Sequence, residues 1–277
     1  MSKTLYVSDL DGTLLKKDET LSPFTVDTIN ALVERGMIFS YATARSLVTA
    51  RRVTAGLTTN LPVVIYNGSF VVESATGKRL ISGAFAPDDA REILDDLMSR
   101  EIYPIVYAFV DGVEKFSYVE DKQSCGARWF NGTRRGDVRE RPLTDSAGLY
   151  DGEIFHLTCI DEPERLLPMY QAYCNRFECI YHKDIYSGEQ WLELQPRGAT
   201  KAEAIGQLKR LLGCDRVVCF GDGKNDVSMF EMADECYAVA NADEELKAMA
   251  TAVIESNEQD GVARFLMKHW KKQKEMT

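Results

Sequence analysis

At 277 residues the chain is long for one core and suits two domains, with an ordinary globular balance of 45% hydrophobic and 27% charged residues. A formal net charge of -10 disfavours nucleic acid, whose phosphates would be repelled, and no apolar run approaches the roughly 20 residues that span a bilayer. No basic segment followed by an apolar one suggests a signal peptide, and the seven cysteines form no C-x-x-C pair, so reduced thiols in a cytoplasmic protein are expected.

The first predicted element is a buried strand through Leu5, Tyr6 and Val7, ending at two carboxylates, Asp9 and Asp11, and a turn at Gly12. Ser22-Pro23 then opens a helix, Ser as N-cap and Pro at the first helical position, that runs to a stop at Gly36. A strand over 37–42 ends at Thr43, a helix is expected over 45–55, and a third strand over 62–66 ends at Asn67-Gly68. Strand, helix, strand, helix, strand predicts a doubly wound parallel sheet of Rossmann-like type.

The rhythm then changes. Short strands over 70–73 and 79–82 flank Thr76-Gly77, a helix is expected over 87–100, and Asp111-Gly112 marks a hairpin between 105–110 and 113–119. A loop-rich tract holding Asn131-Gly132 and Arg135-Gly136 precedes a strand near 154–160, a helix over 163–177 and a strand pair around Ser187-Gly188. This order predicts an α+β insert over 84–189, dividing a core made of 1–83 and 190–277. From Thr200 the α/β pattern returns. A capping box, Thr200 with Glu203, starts a helix over 201–212, and strands over 216–220, 236–239 and 252–254 follow.

Four features fall at predicted element ends: Asp9 with Asp11, Thr43, Lys201, and Asp222 with Asn225 and Asp226. Phosphoryl transfer from a monoester needs such parts. A carboxylate can attack the phosphorus, a second acid can protonate the leaving alcohol and then activate water, and oxygen ligands can hold Mg²⁺ against the anionic charge. On this reading Asp9 is the nucleophile, Asp11 the acid/base and Asp222 a metal ligand. Thr43 and Lys201 hold phosphate, Lys201 from a helix N-terminus that also favours an anion.

At these residues the chain resembles a known superfamily. Asp9-Leu10-Asp11-Gly12-Thr13, Thr43, Lys201 and Gly221-Asp222-Gly223-Lys224-Asn225-Asp226 are similar to the four ordered motifs of the haloacid dehalogenase-like phosphohydrolases. The insert between the second and third motifs resembles the cap of the Cof-type members (the class IIB cap), as do Asn67-Gly68 and Asp260-Gly261-Val262-Ala263. The resemblance implies an aspartyl-phosphate on Asp9 and Mg²⁺ held by Asp9, the backbone carbonyl of Asp11 and Asp222. It also implies phosphate contact from Asn225 and support from Asp226 to Lys201 or the metal's water shell. Thr43-Ala44-Arg45 departs from the Thr-Gly-Arg of many relatives, so a methyl group at Ala44 narrows the backbone's approach to phosphate.

Blander readings stand beside these. Thr43 alone reads as a capping hydroxyl, Lys201 as a first-turn residue in solvent, and Asn67-Gly68 as an ordinary turn pair. An EF-hand fails because Leu14 and Thr20 occupy the sixth and twelfth positions from Asp9. The tract with Arg128, Arg134, Arg135, Arg139 and Arg141 reads as a solvated face, with an anion-binding surface as the alternative. His156, His182 and His269 have no ligand spacing. The expected function is a Mg²⁺-dependent phosphatase of a small phosphorylated metabolite. A sugar phosphomutase using the same phospho-aspartate, or a non-catalytic phosphometabolite-binding protein, are the alternatives.

Overall fold

The computed structural model describes residues 3–58, 61–183 and 188–275, with the side chains of 271–275 set aside. The chain forms two compact units, one made of residues 1–82 and 199–277 and the other of 83–198.

The first unit is built on a parallel sheet. Its strands are β1 (Thr4–Ser8), β2 (Ile38–Tyr41), β12 (Arg216–Gly221), β13 (Glu235–Val239) and β14 (Ala252–Ile254), in the order β14-β13-β12-β1-β2. β1 lies between β12 and β2, with Leu5 opposite Val217 on one side and Ile38 on the other. A strand flanked and covered in this way is buried on both faces, which is why Leu5, Tyr6 and Val7 read as a continuous apolar run. Helix α1 (Pro23–Glu34) starts where Ser22 accepts from the Thr25 amide, and helix α2 (Leu47–Val53) starts where Ser46 accepts from Thr49.

The expected third parallel strand is placed differently. β3 (Pro62–Ile65) heads a small antiparallel sheet with β4 (Phe70–Glu73) and β5 (Arg79–Ser82). A single parallel bridge, Ala42 to Val64, links it to the end of β2. The tight turn at 66–68 sends the chain back along β3 at once, so β3 takes the expected short strand 70–73 as an antiparallel neighbour and does not join the parallel sheet.

The second unit holds a six-stranded sheet in the order β10-β11-β9-β6-β7-β8. Its strands are β6 (Ile105–Val110), β7 (Val113–Val119), β8 (Glu140–Leu143), β9 (Glu153–Asp161), β10 (Glu178–Lys183) and β11 (Gln190–Gln195). Helices α3 (Pro87–Ser99) and α5 (Pro163–Tyr173) bring Ile93, Leu94, Leu97, Leu166 and Met169 into one core with Leu157, Leu192 and Leu194 of the sheet. A second cluster joins Ala127 and Phe130 of helix α4 (Cys125–Gly132) to Ile105, Phe116, Tyr118 and Ile160. The loop-rich reading missed both α4 and β8. Asn131-Gly132 suggested a turn but ends a helix capped by Ser124, and Pro142 concealed a strand that, among the described residues, pairs with β7 alone.

The return to the first unit also comes later than residue 190, because Gln190–Gln195 pairs with β9 and β10 and the unit boundary falls at 198/199. Ser187, placed in the turn of the last strand pair, lies outside the described residues. No helix among the described residues is long and apolar enough to cross a membrane. All seven cysteines are free thiols.

Candidate active site

β1, β2 and β12 run parallel and side by side, so the residues that follow them emerge at one edge of the sheet. That edge, the carboxyl end of the strands, is where open α/β sheets place ligands. Asp9 follows β1 directly and donates its amide to the Phe220 carbonyl at 2.9 Å. Asp222 follows β12. Thr43, fully buried, lies two residues beyond β2.

Lys201 reaches the same place from helix α6 (Lys201–Leu212), whose buried stripe is Lys201, Ala204, Ile205 and Leu208. The stripe has helical spacing, so the lysine occupies a core position and its charge must be met inside. Its Nζ lies 2.6 Å from Asp9 Oδ1 and 2.7 Å from Asp226 Oδ1. Asp226 is fully buried, and its Oδ2 accepts from the amides of Asp222 and Gly223 at 2.9 and 3.1 Å. It therefore ties the lysine to the loop that carries Asp222. Thr13 donates its hydroxyl to Asp222 Oδ1 at 2.9 Å.

Carboxylate oxygens of Asp9, Asp222 and Asp226 come within 4.8 Å of one another. Three acids thus face one ammonium. Burial pushes the Asp9 carboxyl well above its ordinary value, and the charges of Asp226 and Asp222 add to this against the pull of Lys201. Burial, then Asp226, pushes Asp222 up to about 7. Burial opposes the charge of Lys201, but Asp226 and Asp9 outweigh it and raise its pKa. The cluster lacks positive charge, and its donors are hard oxygens. A divalent cation such as Mg²⁺ fits on both counts.

Gly12 explains how the acids approach. With φ +75 it takes a backbone conformation that L side chains rarely adopt, and a Cβ there would lie 2.1 Å from Asp222 Oδ2. Beyond β3, Tyr66, Asn67 and Gly68 have φ of 50, 51 and 112 in succession. Such a run is costly for Tyr66 and is held by amides donating to Arg45 O and Thr43 O. It presents Asn67 Oδ1 to the Asn225 amide at 3.3 Å. A Cβ on Gly68 would lie 2.1 Å from the carbonyl of Thr200, the cap of the lysine helix.

Asp9, Lys201, Asp222 and Asp226 are thus brought together, and Asn67 meets Asn225. The Asp11 carboxylate, about half exposed, points elsewhere, held by two bonds from Arg45 at 2.8 and 2.5 Å. The same guanidinium lies 3.2 Å from Glu19. The Thr43 hydroxyl accepts from the Arg45 amide at 3.1 Å. Sequence reasoning missed the Arg45 clamp, the Thr13 bond and the 2.7 Å bond from Asn241 Nδ2 to Gly12 O. The Arg in Thr43-Ala44-Arg45 was a signal for the first; Asn241 carried none, because its partner is 229 residues away.

The arginine tract divides. Arg139 is buried and pairs with Glu114 and Asp137, Arg141 pairs with Asp151, and Arg134 stacks on Phe130 at 3.5 Å. The solvated-face reading fails for Arg139. His156 is buried, 3.0 Å from Thr158 Oγ1 and 3.5 Å from Glu193.

An open parallel sheet carrying acids and a buried lysine at its carboxyl edge defines an α/β protein with a polar ligand site. The haloacid dehalogenase-like hydrolase family model matches residues 6–266, so the chain belongs to that family, as a Cof-type enzyme of the phosphatase kind. It is 29% identical to the 5-amino-6-(5-phospho-D-ribitylamino)uracil phosphatase YwtE of Bacillus subtilis, over 93% of this chain and 95% of that protein. It is 25% identical to the pyridoxal phosphate phosphatase YbhA of Escherichia coli, over 97% and 98%. Among solved structures, TM0651 of Thermotoga maritima matches with a TM-score of 0.76 at 24% identity, covering 97% of each chain, a likeness of fold.

Proposed function

We propose that this phosphatase is Mg²⁺-dependent and hydrolyses the phosphate monoester of a small metabolite through a phosphorylated Asp9, in the cytoplasm. The observation that carries this reading is the set of buried Asp9 and Asp226 and half-buried Asp222 around a Lys201 with no solvent-exposed side-chain surface. Perturbed, buried charges gathered at a ligand edge are what phosphoryl transfer demands and what folding alone does not.

Asp9, Asp222 and the backbone carbonyl of Asp11 would hold the metal. Asp226 is the poorer ligand, since both its oxygens already serve Lys201 and two amides. When bound, Mg²⁺ offsets the negative charge of the carboxylates and of the incoming phosphate. One Asp9 oxygen attacks phosphorus while the bond to the leaving oxygen breaks, and Asp11 gives that oxygen a proton. Water then attacks the phosphoryl group, Asp11 takes its proton, the Asp9–phosphorus bond breaks and phosphate leaves. Thr43, Asn225 and Lys201 hold the phosphoryl oxygens, and Asn67 orients Asn225. For Asp11 to act, its carboxylate must leave the Arg45 clamp. The second unit is the specificity-bearing cap on this reading.

The two enzymes compared above are named for different phosphorylated small molecules, which supports the substrate class. Asp9→Asn should lower turnover of p-nitrophenyl phosphate by about 10⁴-fold or more, with the folded circular-dichroism spectrum kept. Turnover near wild type in that variant would remove Asp9 as nucleophile.

A further inference from the structure

Two stretches outside the acid cluster converge on it: the loop after β13 and the turn that ends in Asp260-Gly261. β13 lies beside β12 in parallel, with Phe220 opposite Tyr237, so its continuation emerges at the same edge as Asp222. Two residues beyond the strand, Asn241 donates its side-chain amide to the Gly12 carbonyl at 2.7 Å. Further along, the Asp243 amide donates to the Asp222 carbonyl at 2.8 Å. One short segment therefore grips both acid-bearing loops by their backbones, at Gly12 beside Asp11 and at Asp222.

The grip is oriented from behind. Asn241 Oδ1 accepts from the Asn257 backbone amide at 3.1 Å, which sets the side-chain amide so that Nδ2 faces Gly12. Asn257, only 4% exposed, donates its own side-chain amide to the Leu15 carbonyl at 2.9 Å. Asp260 anchors the same turn, accepting from the hydroxyls of Ser22 and Thr25 at 2.6 and 3.1 Å. The 257–260 turn thus holds the chain that follows Gly12 at Leu15, Ser22 and Thr25, and it also aims the side chain that meets Gly12 itself.

Charge explains why such a grip is needed. Lys201 pairs with Asp9 and Asp226, whereas the Asp222 side chain is held by an uncharged group, the Thr13 hydroxyl. Before a cation arrives, three close carboxylates favour separation of the loops that bear them. Neutral donors on backbone carbonyls resist that separation and add no charge of their own. We propose that Asn241 is a positioning residue for the divalent cation: it holds the Gly12 turn, and with it the Asp11 carbonyl, in place against Asp222. This role presupposes the metal site proposed above. Asn241 acts through Gly12 and is not itself a ligand.

The test is isothermal titration calorimetry of the full chain, stripped with chelator, with MgCl₂ as the probe at about pH 8, where an aspartate is ionised. Asn241→Ala should weaken Mg²⁺ binding by about fivefold or more, because losing an outer hydrogen bond of this kind loosens a metal site. Asn241→Asp keeps the acceptor for the Asn257 amide but sets an oxygen without a hydrogen against the Gly12 carbonyl. It should weaken binding as well, although its added negative charge alone would tighten it. Turnover of an aryl phosphate should fall in both variants at low Mg²⁺, and the deficit should shrink as Mg²⁺ rises. A purely structural role would lower the melting temperature and leave the Mg²⁺ affinity of the folded protein where it was, which would overturn the proposal. Tighter binding in Asn241→Asp than in wild type would overturn it too. Absence of binding in the wild type would instead remove the metal site itself, and this role with it.

Discussion

Two charged regions of this molecule obey opposite rules. Around Lys201, three carboxylates face one ammonium, with Lys201 and Asp226 fully shielded from solvent at their side chains. Around Arg139 and Arg141, every guanidinium is met by a carboxylate, three carboxylates to two guanidiniums. Glu114 and Asp137 flank one guanidinium and Asp151 meets the other, with side-chain exposures from 9% to 49%. A pair open to solvent, such as Arg141 with Asp151, is a modest and replaceable aid to stability. A buried excess of one sign is costly, and the pKa values of Asp9 and Asp222 register that cost as upward shifts. The contrast separates charge that organises a fold from charge kept for chemistry, although both regions read alike as clusters of ionisable residues.

Lys201→Met should break this contrast most strongly. It leaves Asp9 and Asp226 facing each other without a cation, so turnover of an aryl phosphate should fall by about 10³-fold. Stability should also fall, by about 3–5 kcal/mol, read from denaturant melts. A variant that loses activity with an unchanged melt would mean that the lysine is not needed to compensate buried charge.

The next effect is on pH dependence. A carboxyl whose folded pKa is raised binds more protons folded than unfolded, so its contribution to stability falls as pH rises between the two values. For Asp222 that window runs from 3.8 to about 7. Without divalent cation, stability should therefore decline by up to a few kcal/mol from pH 4 to about 7 through this group. Added Mg²⁺, which favours the ionised form, should flatten the decline, and Asp222→Asn should remove this contribution. Melting temperatures against pH, with chelator and with Mg²⁺, measure it. A stability that rises across that window in wild type but not in Asp222→Asn would reverse the sign.

The smallest effect is expected at the exposed pair of Arg141 and Asp151. Arg141→Ala should cost no more than about 1 kcal/mol and leave turnover within about twofold. A large loss of activity would mean that this pair, too, serves chemistry.

Several features of the site were legible in the residues themselves. Asp9 and Asp11 close an apolar run, Gly12 allows the turn, and the capping box of Thr200 and Glu203 sets Lys201 at the start of a helix. These signals are local, set by periodicity and backbone freedom over a few residues. Other features were not legible for equally physical reasons. β3 has the composition of a parallel strand, and only the reversal at 66–68 assigns it to an antiparallel sheet. Helix α4 ends in Asn131-Gly132, a pair that suits turns and helix ends alike. β11 lies close in sequence to Thr200, yet its hydrogen bonds run to β9 and β10.

By itself the sequence determined the kinds of chemical group available, the strand and helix ends on which they sit, and the two-part plan of the chain. The tertiary structure decided which groups meet. Asp226 became the partner of Lys201, and Arg45 took the Asp11 carboxylate. The reason is range: turns and periodicity act over a few residues, whereas Lys201 meets Asp9 across 192 positions. Such a contact exists only because parallel strands and a capped helix converge on one edge of the sheet.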